Sequence, residues 1–158
     1  MAKLKSRAAL KKIIKSLKKK GKKVVFANGC FDILHVGHIR FLRSARSKGD
    51  VLVLGLNSDS SVRKIKGKGR PLVNERERAE MLSGFEFIDY ILIFGEPTVD
   101  RTLLELRPDF HAKGTDYTVK TVPEREMTAK LGIKTVIAGD KKNHATTDII
   151  RKIIQKNR

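Results

Sequence analysis

The sequence is poor in residues that build disulfides or thiolate metal sites. Its 158 residues contain a single cysteine, Cys30. That count excludes an intramolecular disulfide and any zinc or iron–sulfur site held by several thiolates. A lone cysteine can still act as a nucleophile, but only where a base lies beside it in space.

Aromatic side chains and long apolar runs are also scarce. Phe, Tyr and Trp make up 6% of the chain, which leaves few rings on which the bases of a single-stranded nucleic acid could stack. No apolar run is long enough to cross a bilayer, and the first residues lack the unbroken apolar core of a signal peptide. The sequence therefore predicts a cytoplasmic protein without a membrane partner.

Acidic residues are few compared with basic ones. The chain has 35 Lys and Arg residues against 17 Asp and Glu residues, which gives a formal net charge of +18. This excess favours anionic partners such as nucleotides, phosphosugars or nucleic acid, without choosing among them. Much of it lies in Lys11–Lys23 and in residues 151–158, where a solvated helix face is the simpler interpretation.

The chain does contain a regular alternation of helical and apolar extended segments. Residues 6–20 carry apolar side chains at helical spacing and end at Gly21, which predicts a basic amphipathic helix in a segment 1–22. Residues 23–158 then read as one domain. Repeated βα units of this length predict a Rossmann-like α/β fold, a doubly wound parallel sheet of five strands with helices on both faces. Residues 58–74 carry no core pattern and are predicted to be a loop.

Ligands of such sheets gather at the carboxyl ends of the strands. Five segments are therefore expected to converge on one crevice. They are Asn28–Asp32, Asn57–Asp59, Phe94–Glu96, Lys113–Asp116 and the turn before Thr146.

The most distinctive stretch is NGCFDILHVGHIRFL, in which His35 and His38 lie at a predicted strand-to-helix junction. A helix N-terminus offers free N–H groups and the positive end of a dipole, which together bind phosphate. Gly29 and Gly37 remove side chains where a nucleotide would approach, and two imidazoles can donate hydrogen bonds to phosphoryl oxygens. Metal ligation and core packing are the alternatives; the i, i+3 spacing disfavours a metal, and no metal site is predicted.

This stretch resembles the HxGH signature of the nucleotidyltransferase superfamily, which includes the cytidylyltransferases. Within it, nearly the whole chain is similar to the heptose-1-phosphate adenylyltransferases. The segments that carry the resemblance are NGCFDILHVGH, GDVLVLGLNSD, KGKGRP, RPDFHAKGTDY and ATTDIIRKI. The resemblance implies transfer of AMP from ATP to heptose 1-phosphate with release of pyrophosphate, in ADP-heptose and lipopolysaccharide precursor synthesis. It also implies Mg²⁺ carried with the nucleotide.

The resemblance further implies roles for individual residues. His35 and His38 would stabilise the α-phosphate in transit, and Lys66 would neutralise its charge. The residues expected to bind the nucleotide and its phosphates are Asn28, Gly29, Cys30, Phe31, Asp32, Gly37, Lys113, Gly114, Asp116, Thr146 and Thr147. Lys64, Arg70 and Arg78 would contact the sugar phosphate or neutralise charge.

For two of these segments the residues allow two interpretations each. The segment KIKGKGRP reads either as a mobile cationic lid or as a solvated basic loop. Lys113–Asp116 reads either as a substrate-binding element or as a turn in which Asp116 is a local cap. Ala145 stands where the family usually has a serine, so one phosphate-binding hydroxyl is missing.

Two other functions compete with adenylyl transfer. One is cytidylyl transfer from CTP to glycerol 3-phosphate or a related polyol phosphate, because the base is read largely by backbone groups. The other, from a different class, is a basic nucleic-acid-binding module, which the scarcity of aromatic residues disfavours. Since members of the family are often dimers, a homodimer is also expected.

Overall fold

The computed structural model describes residues 2–141 and 144–157. The strands are β1 (Val24–Gly29), β2 (Val51–Asn57), β3 (Tyr90–Phe94), β4 (Phe110–Gly114) and β5 (Lys134–Ala138). The helices are α1 (Arg7–Lys19), α2 (Val36–Arg46), α3 (Asp59–Lys66), α4 (Glu75–Ser83), α5 (Asp100–Leu106), α6 (Arg125–Leu131) and α7 (Thr146–Lys156). Among the described residues, no helix has both the length and the apolar character needed to span a bilayer.

The five strands form one parallel sheet in the order β3-β2-β1-β4-β5. Strands β2 and β3 therefore extend the sheet on one side of β1, and strands β4 and β5 extend it on the other side. The winding reverses between β1 and β4, and the carboxyl ends of these two strands open the crevice in which such sheets bind ligands. The predicted doubly wound, five-stranded α/β fold is confirmed.

Apolar cores lie on both faces of the sheet. Strand β2 is buried along its whole length, as its unbroken apolar sequence predicts for a strand covered on both sides. Helices α2 and α4 cover one face, with Leu42 and Leu82 fully buried. Helices α1 and α5 cover the other face, with Leu10 and Leu103 fully buried.

Aspartates fix the register of the strands at the edge of the sheet opposite the crevice. Asp50, Asp89 and Asp109 each directly precede a strand, and each accepts a backbone N–H from the start of a neighbouring strand. The three N···O distances, from Lys23, Leu52 and Val24, lie between 2.7 and 2.9 Å. These bonds satisfy backbone donors that the parallel ladder leaves open at its first residues.

The leading helix belongs to the core of the structure. Ser6 caps α1 by accepting a hydrogen bond from the Ala9 N–H at 3.2 Å, and the helix buries Leu10 and Ile14 against the sheet. The residues before it form a short parallel bridge between Leu4 and Ile91 along the outer edge of β3.

One segment differs from the sequence-based expectation. Residues 58–74, predicted to be a loop, contain the eight-residue helix α3. Ser58 caps this helix by accepting from the Ser61 N–H at 3.2 Å, but only Ser61 and Val62 are buried. Two buried residues give no readable apolar periodicity, which is why the pattern did not reveal the helix.

We expect Leu10→Ala to lower the free energy of unfolding by about 2–5 kcal/mol, because the truncation leaves a cavity beneath α1. Denaturant unfolding followed by circular dichroism measures this. The matched control is the exposed neighbour Lys11→Ala, which should change stability by less than about 0.5 kcal/mol. Equal effects of the two substitutions would show that α1 is not part of the cooperative core.

Candidate active site

A cleft of about 510 Å³ opens at the carboxyl ends of β1 and β4, where the winding of the sheet reverses. Most of the residues that the sequence predicts for the site line this cleft. They are Asn28, Gly29, Cys30, Phe31, Asp32, His35, Gly37, His38, Lys66, Arg70, Lys113, Gly114, Asp116, Thr146 and Thr147.

Other predicted residues lie elsewhere. Asn57–Asp59 and Phe94–Glu96 follow β2 and β3, on the far side of β1 from the crevice, so the expected convergence of five segments is reduced to three. Lys64 is exposed on α3 and does not line the cleft. Arg78 does not line it either.

Arg78 is completely buried, and its guanidinium is used within the protein. Its Nε donates to the Val73 carbonyl, and its Nη1 donates to the Cys30 and Asn57 carbonyls. Its Nη2 forms an ion pair with Asp59 at 2.8 Å. These bonds tie the ends of β1 and β2 to the start of α3, which differs from the charge-neutralising contact with substrate expected from the resemblance.

The two signature histidines form a stacked pair at the start of α2. The ring centroids of His35 and His38 are 3.7 Å apart with an angle of 21° between the planes. Phe31 meets the His38 ring edge-on at 5.1 Å between centroids, and the ring of His144 lies 6.2 Å from that of His35. The pair is thus held by rings on both sides.

The glycines of the motif are required by this packing. A Cβ at Gly37 would lie 3.0 Å from Nδ1 of His35, and a Cβ at Gly29 would lie 2.8 Å from the Phe31 ring. Phe31 itself adopts a left-handed backbone conformation with φ of 47°, which turns its ring back over Gly29. The lack of a side chain at Gly37 and Gly29 therefore leaves room for the His35 and Phe31 rings to pack against the floor of the cleft.

Two helices begin at the cleft without a side-chain cap. The residue at the N-cap of α2 is His35 and that of α7 is Ala145, and neither makes a side-chain capping bond. Their first N–H groups and the positive ends of their dipoles thus face a common cavity, which suits a phosphate group. Thr146 donates from Oγ1 to the Ile33 carbonyl at 3.2 Å, joining the start of α7 to the loop before α2.

Asp32 anchors the loop that follows α3. Its Oδ2 accepts from Arg70 Nε at 2.6 Å, and its Oδ1 accepts from the N–H groups of Leu72 and Val73 at 2.8 and 3.0 Å. Burial alone raises the pKa of Asp32, but these hydrogen bonds and the Arg70 charge outweigh it, so the pKa lies below its usual value. Asp32 therefore acts mainly on the loop that carries Arg70.

Lys113 enters the cleft from the end of β4. Its Nζ lies 3.4 Å from Oε1 of Glu124 and 4.9 Å from the centre of the Tyr117 ring. The next residue is Gly114, where a Cβ would lie 2.8 Å from Oδ1 of Asp116. The KGTD segment is thus both a tight turn and part of the cleft wall. The two interpretations from the sequence, a turn and a substrate-binding element, are therefore compatible.

Sequence reasoning missed several residues around this wall. Thr115 donates to the Asp140 carbonyl at 2.6 Å, and Asp140 forms an ion pair with Arg40 at 2.7 Å. Glu124 and Tyr117 are the neighbours that position Lys113. Thr115 and Tyr117 lie within the KGTDY segment that the sequence singled out, although no role was predicted for either. Arg40, Glu124 and Asp140 stand in no recognisable motif, and only their contacts in the folded chain identify them.

Cys30 lines the cleft as a thiol. Burial raises its pKa, and the opposing charges of Lys66, Arg78 and Arg70 only reduce that effect. A raised pKa disfavours the thiolate that nucleophilic catalysis needs. Cys30 therefore fits a wall residue better than a nucleophile.

A second concavity, of about 550 Å³, lies between the starts of α3 and α4. The N–H of Asp59 at the start of α3 already donates to the carboxylate of Glu75 at 2.7 Å. The protein's own side chain thus fills the position that a bound anion would take. The cleft with the histidine pair is the better candidate for the active site.

The described residues do not fit a protein-held metal centre. Among residues 2–141 and 144–157, no three His, Cys, Asp or Glu side chains come together in a way that could hold an ion. A divalent cation at this cleft would therefore need most of its ligands from a bound molecule.

A doubly wound sheet with a histidine pair and two helix N-termini at its switch point defines an α/β protein built to bind phosphate groups. The chain belongs to the cytidylyltransferase-like family, whose model matches residues 26–154. This confirms the nucleotidyltransferase superfamily predicted from the HxGH motif.

The chain is similar to curated proteins over nearly its whole length. It is 44% identical to the bifunctional protein HldE of Pelobacter propionicus over 155 residues, which are 98% of this chain and 32% of that protein. It is 47% identical to HldE of Geobacter metallireducens over 98% of this chain and 31% of that protein. The chain thus spans about a third of the length of these relatives.

Solved structures agree with the fold. The lipopolysaccharide core biosynthesis protein from Thermoplasma volcanium is 31% identical, with a TM-score of 0.66, over 77% of this chain and 100% of that chain. Pantoate–β-alanine ligase from Francisella tularensis, solved with β,γ-ATP and β-alanine, is 17% identical with a TM-score of 0.67 over 97% of this chain and 76% of that one. The second likeness concerns the fold alone.

We expect Asp32→Asn to lower the free energy of unfolding by about 1–3 kcal/mol at neutral pH, because buried donors lose a charged acceptor. The native pKa of Asp32 is lowered, so its charge stabilises the fold above the usual pKa of 3.8. That contribution is lost as the pH falls through the lower native pKa. Denaturant unfolding at a series of pH values should therefore show the gap between parent and variant closing in acid.

Glu86→Gln is the control, because Glu86 is exposed. Its stability should stay within about 0.5 kcal/mol of the parent across the same range. A gap for Asp32→Asn that keeps its size below pH 3.8 would contradict the assigned role of the charge.

Proposed function

We propose that this chain is an adenylyltransferase that transfers AMP from ATP to heptose 1-phosphate, in the synthesis of ADP-heptose for lipopolysaccharide. The observation that carries the proposal is the stacked pair of His35 and His38 between two uncapped helix N-termini. The similarity to HldE proteins and to a lipopolysaccharide core biosynthesis protein supports the choice of a sugar phosphate as acceptor.

The reaction is an in-line displacement at the α-phosphorus of ATP. A phosphate oxygen of the sugar phosphate forms the new O–P bond, while the bond from the α-phosphorus to the bridging oxygen breaks. Pyrophosphate leaves with the electron pair of that bond. Such transfers need positioning and charge neutralisation more than covalent participation by the protein.

The histidine pair and the helix N-termini are placed to stabilise the negative charge that develops on the α-phosphate. Imidazole N–H groups of His35 and His38, with the first N–H groups of α2, are suited to donate to the non-bridging oxygens of the α-phosphate. The start of α7, with its first N–H groups and the hydroxyl of Thr147, is suited to bind the remaining phosphates. Ala145 provides no hydroxyl, and the hydroxyl of Thr146 donates to the Ile33 carbonyl.

Cationic side chains complete the proposed site. Lys66 is exposed at the last turn of α3, directly before Gly67, whose φ of 92° gives the chain a left-handed turn at the base of the basic loop. Arg70 is fixed in place by Asp32. This pairing makes Lys66 the mobile charge and Arg70 the fixed charge of the lid.

Mg²⁺ is proposed to arrive with ATP, bound by its β- and γ-phosphates. The family membership supports this, and the acidic residues described in the cleft form no separate cage. We assign catalysis to residues 23–158, with the segment 1–22 covering one face of the sheet. Assembly as a homodimer is a prediction from the resemblance, and a cytoplasmic location is a prediction from the sequence.

The experiment that tests the proposal is a screen for pyrophosphate release. Each of ATP, CTP, GTP and UTP is incubated with heptose 1-phosphate, a hexose 1-phosphate and glycerol 3-phosphate, with Mg²⁺ present. We expect ATP with heptose 1-phosphate to be the fastest pair.

Two outcomes would contradict the proposal in different ways. A preference for CTP with glycerol 3-phosphate would point to a cytidylyltransferase. No pyrophosphate from any pair, together with a salt-sensitive shift of RNA or DNA, would point to a nucleic-acid-binding module.

The roles of single residues follow from their positions in the cleft. His35→Ala and Lys66→Ala should each lower kcat by about 10²–10³-fold, the loss typical of one donor to a developing negative charge. Steady-state kinetics of pyrophosphate release measure this.

The matched controls lie one or two residues away. Lys64→Ala, on the same helix but outside the cleft, and Val36→Ala, next to His35, should stay within about threefold of the parent, as expected for screened or exposed positions. A rate for His35→Ala within that range would overturn the proposed role of the histidine.

A further inference from the structure

His111 is a buried histidine whose side chain hydrogen-bonds to a residue of the cleft. It is the second residue of β4 and is completely shielded from solvent. Its Nε2 is 3.1 Å from Oδ1 of Asn28, and Asn28 lines the cleft. Its Nδ1 is buried and meets no hydrogen-bond partner among the described residues.

Core packing alone does not account for this ring. A buried imidazole carries a desolvation cost that a phenylalanine or leucine at the same position would not have. Among the residues that the structure describes, Nε2 recovers part of that cost through Asn28, and Nδ1 recovers none. The imidazole is therefore placed where its hydrogen bond fixes one side chain of the cleft.

The chemistry of the contact sets the direction of the hydrogen bond. Oδ1 of Asn28 can only accept, so Nε2 of His111 carries the proton and Nδ1 is a bare lone pair. The opposite arrangement would bury an N–H at Nδ1 without an acceptor, which folded proteins rarely do. Burial, with a smaller contribution from the charge of Lys113, lowers the pKa of His111 to about 3, so the ring is neutral at physiological pH.

Fixing Oδ1 of Asn28 leaves its Nδ2 group free to act on a ligand. Asn28 is only partly buried, and it lines the cleft. Strands β1 and β4 pair through Ala27 and Ala112, and Asn28 and Lys113 each directly follow that pair. The amide donor and the Lys113 side chain thus emerge side by side at the edge of the sheet, and both line the cleft.

We propose that His111 is a positioning residue that holds the Asn28 carboxamide with its Nδ2 donors directed at a phosphoryl oxygen of the bound substrate. A hydrogen-bond acceptor is required because Asn28 then presents only donors, and the neighbouring ammonium of Lys113 favours an anionic oxygen over a neutral acceptor. The phosphoryl group belongs either to the nucleotide or to the sugar phosphate. The inference deepens the proposed function and rests on it for the identity of the substrate.

The tautomer of His111 can be measured without any substrate. Long-range ¹H–¹⁵N correlation spectra of the parent, with the His111 signals identified by their loss in His111→Phe, should show a neutral ring protonated at Nε2 at neutral pH. The Nδ1–H tautomer or a charged ring would overturn the proposal.

Kinetics then separate positioning from stability. His111→Phe should raise the KM for one of the two phosphate substrates by about tenfold, the effect of one ordinary hydrogen bond, with a smaller change in kcat. The substrate whose KM rises is the one whose phosphoryl group Asn28 contacts. His111→Gln, whose amide can donate to Oδ1, should recover most of the loss.

Substitutions of Asn28, alone and combined with His111→Phe, form a double-mutant cycle that tests whether the two residues act together. Asn28→Asp keeps the acceptor for His111 but removes the donor, so it should raise the same KM at least as much. Asn28→Ala and the double variant with His111→Phe should show equal losses, because the two residues act on one contact. Additive losses would mean that His111 acts independently of Asn28 and would overturn the proposal.

Thr135→Val is the matched structural control. Thr135 is the partner of His111 in the β4–β5 register, and its hydroxyl bonds to that of Thr128 at 3.1 Å. The substitution should lower stability while leaving both KM values unchanged. Equal increases of KM in Thr135→Val and His111→Phe would show a general loosening of the sheet and would overturn the positioning role.

Failure of the proposed function is distinguishable from failure of this inference. If the parent releases no pyrophosphate from any pair of substrates, the affinities for ATP and for inorganic phosphate, measured by isothermal titration calorimetry, replace the KM values. A loss of affinity for one of them in His111→Phe, recovered in His111→Gln, supports the positioning role even then. Unchanged affinities for both overturn it.

Discussion

The buried guanidinium of Arg78 is the interaction on which the geometry of the cleft depends. A charge without solvent is tolerated only when it is paired and its donors are satisfied, and Arg78 meets that condition through Asp59 and three backbone carbonyls. Those carbonyls belong to Cys30, Asn57 and Val73, which stand at the ends of β1 and β2 and before α4. The turn that leads into the histidine motif is therefore fixed from beneath.

Asp32 fixes the same turn from the other side. Its carboxylate accepts from the N–H of Val73, whose carbonyl accepts from Arg78, so one residue links the two buried charges. The basic lid is thereby tied at Arg70 while Lys66 stays exposed. A fixed floor beneath an exposed cation suits the proposed phosphate transfer, because positioning and charge neutralisation supply most of the rate enhancement of such reactions.

The sequence predicts the fold well because its signals are local. The apolar run of β2 and the cap at Asn74, which accepts from two N–H groups at 3.1 Å, can be read without knowing what they contact. The same reasoning missed α3, whose buried face is two residues wide. It also misjudged Arg78, because an arginine that binds substrate and one that binds backbone carbonyls look alike until their partners are known.

The polar residues of the site are of two kinds: some form hydrogen bonds that end on the protein, and others have a charge that is available to a ligand. Arg78, Asp32 and His111 are buried, and their hydrogen bonds end on the protein, so each acts by holding another group in place. Lys66 is exposed, and its charge is available to a ligand. A chain with a net charge of +18 has many cations that could attract phosphate. We propose that the small set of buried groups gives this cleft its selectivity, because these groups decide which donors face it. A neutral imidazole suits that purpose because it directs a neighbouring side chain without adding charge.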